Sequence, residues 1–265
     1  MELCDAHCHY QFAEVPYAAV EQARRDGVGL AMINGSAPSD WEDVAALGRR
    51  DSRNLLSFGL HPWDVPTAPA DWAEQLRAIL LKNPAAGVGE MGLDRWVKDF
   101  DPVAQERAFR TQLALAVELN RALTIHCVKA IGPLMDILRT SVLPPRGFLL
   151  HSWNGPVELV PELAQLGAHF SFSAHHLIPR KADLRAQFAS AIPRERILLE
   201  TDAPALCPAP EFRRHELPPA ADGTEQNHPS NLVSNNQELA RTLGVTAEGS
   251  AALTAQNFRR LFLGE

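Results

Sequence analysis

Eight short apolar runs, rich in β-branched residues, recur along these 265 residues, and longer stretches of helical periodicity separate each from the next. The runs fall at 2–9, 28–35, 55–61, 86–92, 123–128, 147–153, 168–173 and 196–202. Helices are expected at 15–25, 41–49, 70–82, 102–120, 132–140, 156–166 and 181–189, with two more at 231–243 and 246–263. Several boundaries are punctuated. Asp101-Pro102 offers an N-cap and a first-turn proline, Asn120 can close that helix, and Gly155-Pro156 and Gly167 bracket another. The strands read as near-continuous apolar stretches, Ile197-Leu198-Leu199 for example, as in a sheet covered by helices on both faces. Eight such alternations predict an α/β fold, a single-domain (β/α)8 TIM barrel, with a doubly wound open sheet as the alternative. The rhythm breaks at 203–229, which holds six of the twenty prolines and no periodicity. The chain is therefore expected to divide into barrel, 1–204, a loop, 205–230, that is either a functional lid or a plain insertion, and C-terminal helices, 231–263.

Metal-ligand side chains gather at the ends of these runs. His7 and His9 close the first, and in an extended strand their imidazoles share a face, with Asp5 one step behind. Glu90 ends the fourth run, His126 lies in the fifth, His151 ends the sixth and Asp202 ends the eighth. Four of the ten histidines thus sit near strand C-termini, where barrel enzymes place their active sites. Singly, each has an ordinary explanation: His126 as a satisfied core histidine, Glu90 as a partner for Arg95, Asp202 as the start of a turn. Jointly they predict a metal centre. Four imidazoles and two or three carboxylates exceed what one tetrahedral ion uses, so two divalent ions are expected. His7, His9 and Asp202 would serve one ion and His126 and His151 the other, with Glu90 bridging them. Mixed nitrogen and oxygen donors suit zinc, manganese, cobalt or nickel, and magnesium is a further option. Asp5 is a candidate to fix an imidazole tautomer from behind. Two ions about 3.5–4 Å apart stabilise both oxygens of an in-line displacement, so hydrolysis of a phosphate ester is predicted. Asp202 would move the proton, which makes Asp202 and Glu90 the catalytic candidates.

Composition narrows the setting. Hydrophobic residues at 46% and charged residues at 22% suit a substantial core, and no apolar stretch reaches the ~20 residues of a membrane span. The N-terminus lacks the basic and apolar regions of a signal peptide, so a cytoplasmic location is expected, with no membrane partner and a monomeric chain. Cys4, Cys8, Cys127 and Cys207 show no C-x-x-C spacing, which argues against a disulfide framework or a thiolate zinc site. Cys8 and Cys127 are read as buried thiols behind the candidate ligands. A net charge of −7 is unsuited to non-specific coating of nucleic acid, so such binding would have to come from the metals or a local basic patch.

Six motifs, in order, match a known pattern: Asp5-Ala6-His7-Cys8-His9, Gly59-Leu60-His61-Pro62, Gly87-Val88-Gly89-Glu90-Met91-Gly92-Leu93-Asp94, Thr124-Ile125-His126-Cys127, Leu150-His151-Ser152-Trp153-Asn154-Gly155 and Leu199-Glu200-Thr201-Asp202-Ala203-Pro204. With the closing Asn257-Phe258-Arg259-Arg260-Leu261-Phe262, the chain resembles the TatD family of metal-dependent deoxyribonucleases among the amidohydrolase-like TIM barrels. The resemblance implies metal ligation by His7, His9, Glu90, His126, His151 and Asp202, and a role for His61 near the substrate. Activities in such proteins include exonucleolytic removal of nucleotides from DNA and, in some members, cleavage at damaged sites. The pattern departs at His151-Ser152-Trp153-Asn154-Gly155, where His-Cys-Phe-Ser-Gly is frequent, and at His126-Cys127-Val128-Lys129-Ala130, where His-Ser-Arg-Asp-Ala is common. The usual Arg-Asn-Glu-Pro element is reduced to Gln226-Asn227-His228-Pro229.

The leading expectation is a two-metal phosphodiesterase acting on DNA ends. His61, Lys129 and Trp153 are its substrate-binding candidates, although His61 before Pro62 also reads as a capping residue. Arg95 and the Arg213-Arg214 pair are further phosphate contacts, and Trp153 or Phe212 could stack a base. The acidic charge and altered substrate motifs favour a second expectation, hydrolysis of a small phosphoester, lactone or amide by the same metals. A catalytically silent binding protein is the third.

Overall fold

The computed structural model describes residues 2–265, and its eight strands are all parallel and lie in chain order in one sheet. They are β1 (Leu3–Cys8), β2 (Val28–Asn34), β3 (Asn54–Phe58), β4 (Gly87–Asp94), β5 (Leu123–Val128), β6 (Phe148–Leu150), β7 (Ala168–Phe172) and β8 (Ile197–Leu199). β1 and the segment that follows β8 meet through the Asp202 amide on the His7 carbonyl (2.9 Å) and the His9 amide on the Ala203 carbonyl (2.7 Å). These bonds bring the two ends of the sheet together, so the fold is a (β/α)8 barrel and not an open sheet. The helices are α1 (Tyr17–Arg25), α2 (Trp41–Arg50), α3 (Trp72–Lys82), α4 (Pro102–Glu118), α5 (Ile131–Thr140), α6 (Val160–Gln165), α7 (Ala182–Ala191), α8 (Leu232–Leu243) and α9 (Ala247–Phe258). None of them is long and apolar enough to cross a membrane.

Packing explains the apolar runs. Every residue of β1, β4 and β7 is buried, and Phe58, Phe148, Phe170 and Phe172 join Phe109, Leu134 and Leu163 of the helices in one core. A second cluster unites Met32, Leu149 and Leu198 with Phe258, Leu261 and Phe262 from α9 and the wide turn that continues it. The punctuation works as read: the Asp101 carboxylate accepts from the Val103 and Ala104 amides, and Asn120 and Gly167 take left-handed φ just past their helices. Two buried glutamines on α4 reach back to the barrel mouth. Gln112 bonds both the amide and carbonyl of Leu60, and Gln105 both those of Asp94.

The structure revises some boundaries. β3, β6 and β8 stop short of the predicted ends, so His61, His151 and Asp202 stand in the loops that follow. Ser152 and Asp202 adopt φ of +47° and +59°, outside the strand region, which ends the pleat there. The sixth helical stretch opens as a 3-10 turn, Val157–Leu159. Pro161 has no amide hydrogen to give the Val157 carbonyl, so the α-helix begins only at Val160. The 205–230 segment is pinned: Glu216 bridges Asn227, and the Asn227 side chain donates to the Thr201 carbonyl (2.8 Å).

Candidate metal centre

His7 on β1 and His9 just past its end have their Nε2 atoms 3.1 Å apart. Glu90, on β4, lies between four imidazoles. Its Oε2 is 3.3 Å from His7 Nε2 and 3.2 Å from His9 Nε2. Its Oε1 is 2.9 Å from His126 Nδ1 and 3.1 Å from His151 Nε2. Asp202 Oδ1 approaches His7 and His9 at 3.4 and 3.5 Å. Side chains that the sequence spreads from residue 7 to residue 202 therefore converge at one rim. Three groups among the described residues have metal-binding spacing: His7, His9 and Asp202; His7, Glu90 and His151; and His61, Glu90 and His126.

A local reason for this convergence lies in β4. Gly92 sits at φ +159° opposite His126, and a Cβ there would lie 1.9 Å from the His126 carbonyl oxygen. Only glycine lets β4 and β5 approach so closely.

The outer ring nitrogens orient the inner ones. His9 Nδ1 lies 2.7 Å from the Asn34 carbonyl, an acceptor, so that nitrogen carries the hydrogen and Nε2 turns a lone pair inward. His126 Nε2 is 2.9 Å from Asp94 Oδ2, which leaves the Nδ1 lone pair facing Glu90. His151 Nδ1 is 3.6 Å from Oε1 of the fully buried Glu200. Lone pairs and carboxylate oxygens about 3 Å apart repel one another unless protons or cations lie between them. The donor set therefore fits divalent cations, with His7, His9 and Asp202 on one side of Glu90 and His126 and His151 on the other.

Electrostatics say the same. Burial alone would depress His9, but its hydrogen bonds to Asp202 and Glu90 push it up to about 10. His126 and His151 also rise against burial, under the pull of Asp94 and Glu90 and of Glu90 and Glu200. Burial would raise Glu90 and Asp202, yet the surrounding histidines hold both well below the usual carboxylate range. His61 differs: burial pushes it down to about 3, so it is neutral. Its Nδ1 accepts the Trp63 amide (3.2 Å), which places its hydrogen on Nε2, 3.6 Å from Glu90 Oε1.

Residues 4–263 match the family model described as TatD related DNase. A 3'-5' ssDNA/RNA exonuclease TatD of Erwinia amylovora is 31% identical over 254 residues, which cover 95% of both chains. The chain belongs to the TatD related DNase family. An uncharacterized metal-dependent hydrolase, YcfH of Escherichia coli, is 28% identical over 99% of this chain and 96% of its own. The crystal structure of YJJV, a TatD homologue from Escherichia coli, superposes with a TM-score of 0.88 at 25% identity, with 98% of each chain covered. As a TatD-family member the chain is a metal-dependent hydrolase of phosphoester bonds.

Around this TatD-family centre the outer side chains differ from expectation. Asp5 does not reach an imidazole: its carboxylate accepts from the His7 and Thr201 amides and from the Thr201 and Tyr10 hydroxyls. Burial, against those bonds, raises it to about 7. Asp94 and Glu200 stand behind His126 and His151 instead. Both occur in the quoted motifs, but the strand pairing that brings them to those rings is not visible in a linear sequence. Trp153 is buried, edge-on to Phe170, and lines a side cavity of about 280 Å3 with Cys127 and Lys129. Cys8 is fully buried and Cys127 half-buried. Arg213 is paired with Glu225 and Glu216, and the half-exposed Arg214 lies 3.4 Å from Asp26. Phe212 is half-buried against the core. The exposed rings are Trp63 (60%) and Trp96 (71%), and the sequence reading passed over both. Asp94 holds each of them, accepting from Trp63 Nε1 (2.8 Å) and from the Trp96 amide (2.6 Å). Lys129, exposed at φ +53°, sets its Nζ 4.7 Å from the Trp96 ring centre.

Proposed function

We propose that this chain is a two-metal phosphodiesterase that removes nucleotides from the ends of single DNA strands. The observation that carries the reading is the Glu90 carboxylate, one oxygen turned to His7 and His9 and the other to His126 and His151. Divalent cations bound there would polarise a phosphoryl oxygen and acidify water. His7, His9 and Asp202 would hold one, His126 and His151 the other, with Glu90 shared. Asp202, kept ionised by His7 and His9, accepts the proton of the attacking water and returns it to the leaving oxygen. His61 donates its Nε2 hydrogen to a phosphoryl oxygen, a task suited to a neutral imidazole. Trp63 and Trp96 offer open ring faces to unpaired bases, and Lys129 beside Trp96 meets a phosphate as a point charge. The name of the Erwinia relative supports a single-stranded nucleic acid as substrate.

A second reading keeps the centre and changes the substrate to a small phosphoester; the net charge of −7 and the pairing of Arg213 and Arg214 favour it. Digestion of end-labelled single-stranded DNA with Mn2+ or Mg2+ separates the two. A ladder from one end, abolished in Asp202→Asn, is the expected result. No digestion at high enzyme concentration, with bis(p-nitrophenyl) phosphate still hydrolysed, would refute the nuclease and leave the small-substrate enzyme.

A further inference from the structure

At the end of the barrel opposite the metal centre, the entries to β6, β7 and β8 surround a cavity of about 400 Å3. Arg146 stands just before β6, Arg196 just before β8, Arg260 on the turn after α9, and His169 on β7; all four line it. Arg121 lies in a smaller neighbouring cavity that shares Asn120 and Arg146. A close backbone approach builds the arrangement. Gly147 sits at φ +84°, and a Cβ there would be 2.5 Å from the Gly167 carbonyl oxygen, so glycine lets the loops before β6 and β7 touch.

In a protein of net charge −7, these guanidiniums would be expected to find carboxylates. Among the described residues they do not. Arg146 donates to the Phe262 carbonyl (3.0 Å), and Arg260 reaches only Asn257 Oδ1, at 3.5 Å. Arg121 Nε has no hydrogen-bond partner. The acid on the cavity wall, Glu265, turns its carboxylate to Arg259, 3.8 Å away. His169 adds an independent sign. It is only 3% exposed, yet neither ring nitrogen has a partner at normal hydrogen-bond geometry, the Gly167 backbone being the nearest group that acts on it. Burial, and then the charge of Arg196, push it down to about 4 against the pull of the Gly167 backbone, so it is a neutral ring.

Arg121, Arg146 and Arg196 are half-buried and Arg260 is exposed; half-buried arginines that lack counter-ions lose hydration without a Coulombic return, and a buried polar group without a partner calls for one. We propose that this cavity is a binding site for a phosphomonoester dianion of mononucleotide size, separate from the metal centre. Guanidinium forks from Arg146 and Arg196 take phosphate oxygens in pairs, Arg260 adds charge, and His169 donates one hydrogen bond. About 400 Å3 leaves room beyond a phosphate for an attached sugar and ring. The charges surround one concavity and do not follow a track, which suits a single dianion better than a nucleic acid strand.

Titration calorimetry of the metal-loaded protein with 5′-dAMP and with inorganic phosphate tests the site, and amide hydrogen exchange locates it. The expected result is protection at 145–148, 167–170, 194–198 and 259–263, with 5′-dAMP the tighter ligand. Replacing Arg146→Gln and Arg196→Gln together should weaken binding by about 10-fold or more, the effect of losing charge-assisted hydrogen bonds. The melting temperature of the unliganded double variant should fall by no more than about 4 °C, because removal of uncompensated cations offsets the lost Arg146 bond to the Phe262 carbonyl. If that variant fails to fold, the exchange footprint on the wild-type protein decides. Protection confined to the mouth around His9, His61 and Lys129, or an unchanged affinity in a folded double variant, overturns the proposal. So does a single-stranded oligonucleotide that protects these segments where 5′-dAMP does not.

Discussion

Replacing Asp94→Asn should weaken one of the two proposed ion sites and spare the other. The carboxylate is buried and accepts from His126 Nε2 (2.9 Å), Trp63 Nε1 (2.8 Å) and the Trp96 amide (2.6 Å). Burial opposes its ionisation, but these three donors overcome that and draw its pKa from 3.8 to about 2. The change corresponds to about 2 kcal/mol in favour of the charged form. An amide has nearly the same shape and still accepts through one oxygen, but it carries no charge and its NH2 can turn towards the imidazole. Most of that preference is then lost. His126 is no longer held with its Nδ1 lone pair facing Glu90, so affinity for the ion at His126 and His151 should fall by about 10-fold. The site at His7, His9 and Asp202 touches none of these bonds and should change by less than about 2-fold. Chelator competition with Zn2+ or Mn2+ resolves the two affinities, and a metal-activation curve should shift to higher concentration while recovering most of the rate. Equal loss at both sites, or no change at either, would refute the assignment of Asp94 to His126.

Three further outcomes are expected. Trp96→Ala should raise KM for single-stranded oligonucleotides by about 10-fold with kcat nearly unchanged, and Trp96→Phe should restore most of it; an unchanged KM removes this ring from the substrate path. Burial, followed by repulsion from Asp40 and Glu90, raises the Asp64 carboxyl to about 6, so its cost to the folded state sets in between pH 3.8 and about 6 and is complete above that. Asp64→Asn should therefore raise the melting temperature by about 2–4 °C at pH 7, about 1 kcal/mol for this half-buried group, and by nothing below pH 3.8; an equal gain at both pH values would contradict this. Gly92→Ala sets a Cβ 1.9 Å from the His126 carbonyl oxygen and should cost about 3 kcal/mol in chemical denaturation, with metal binding impaired; near-wild-type stability would show that β4 and β5 can separate freely.

What the sequence revealed was local. Alternation along β1 pairs His7 with His9, and an N-cap aspartate before a proline starts α4; both depend on neighbours in the chain. What it concealed depends on which strands lie side by side. Asp5 is the carboxylate nearest to His7 in sequence, yet it is taken up by Thr201, which lies 196 residues away. Asp94 supports His126 from 32 residues away. Arg214 looked free because its partner, Asp26, is 188 residues distant. Aromatic residues showed the same limit: nothing near Trp153 announces Phe170 beneath it, and nothing near Trp96 announces that its ring stays open to solvent.

The bonds that join His7 to Asp202 and His9 to Ala203 link the beginning of the barrel to the segment just past its last strand. A chain emerging from the ribosome carries His7, His9, Glu90, His126 and His151 well before Asp202 has been made, and the cage lacks its final wall until β8 docks beside β1. A fragment that ends before Asp202 lacks one member of the His7, His9 and Asp202 group, so the proposed centre becomes complete only when nearly the whole barrel has been made.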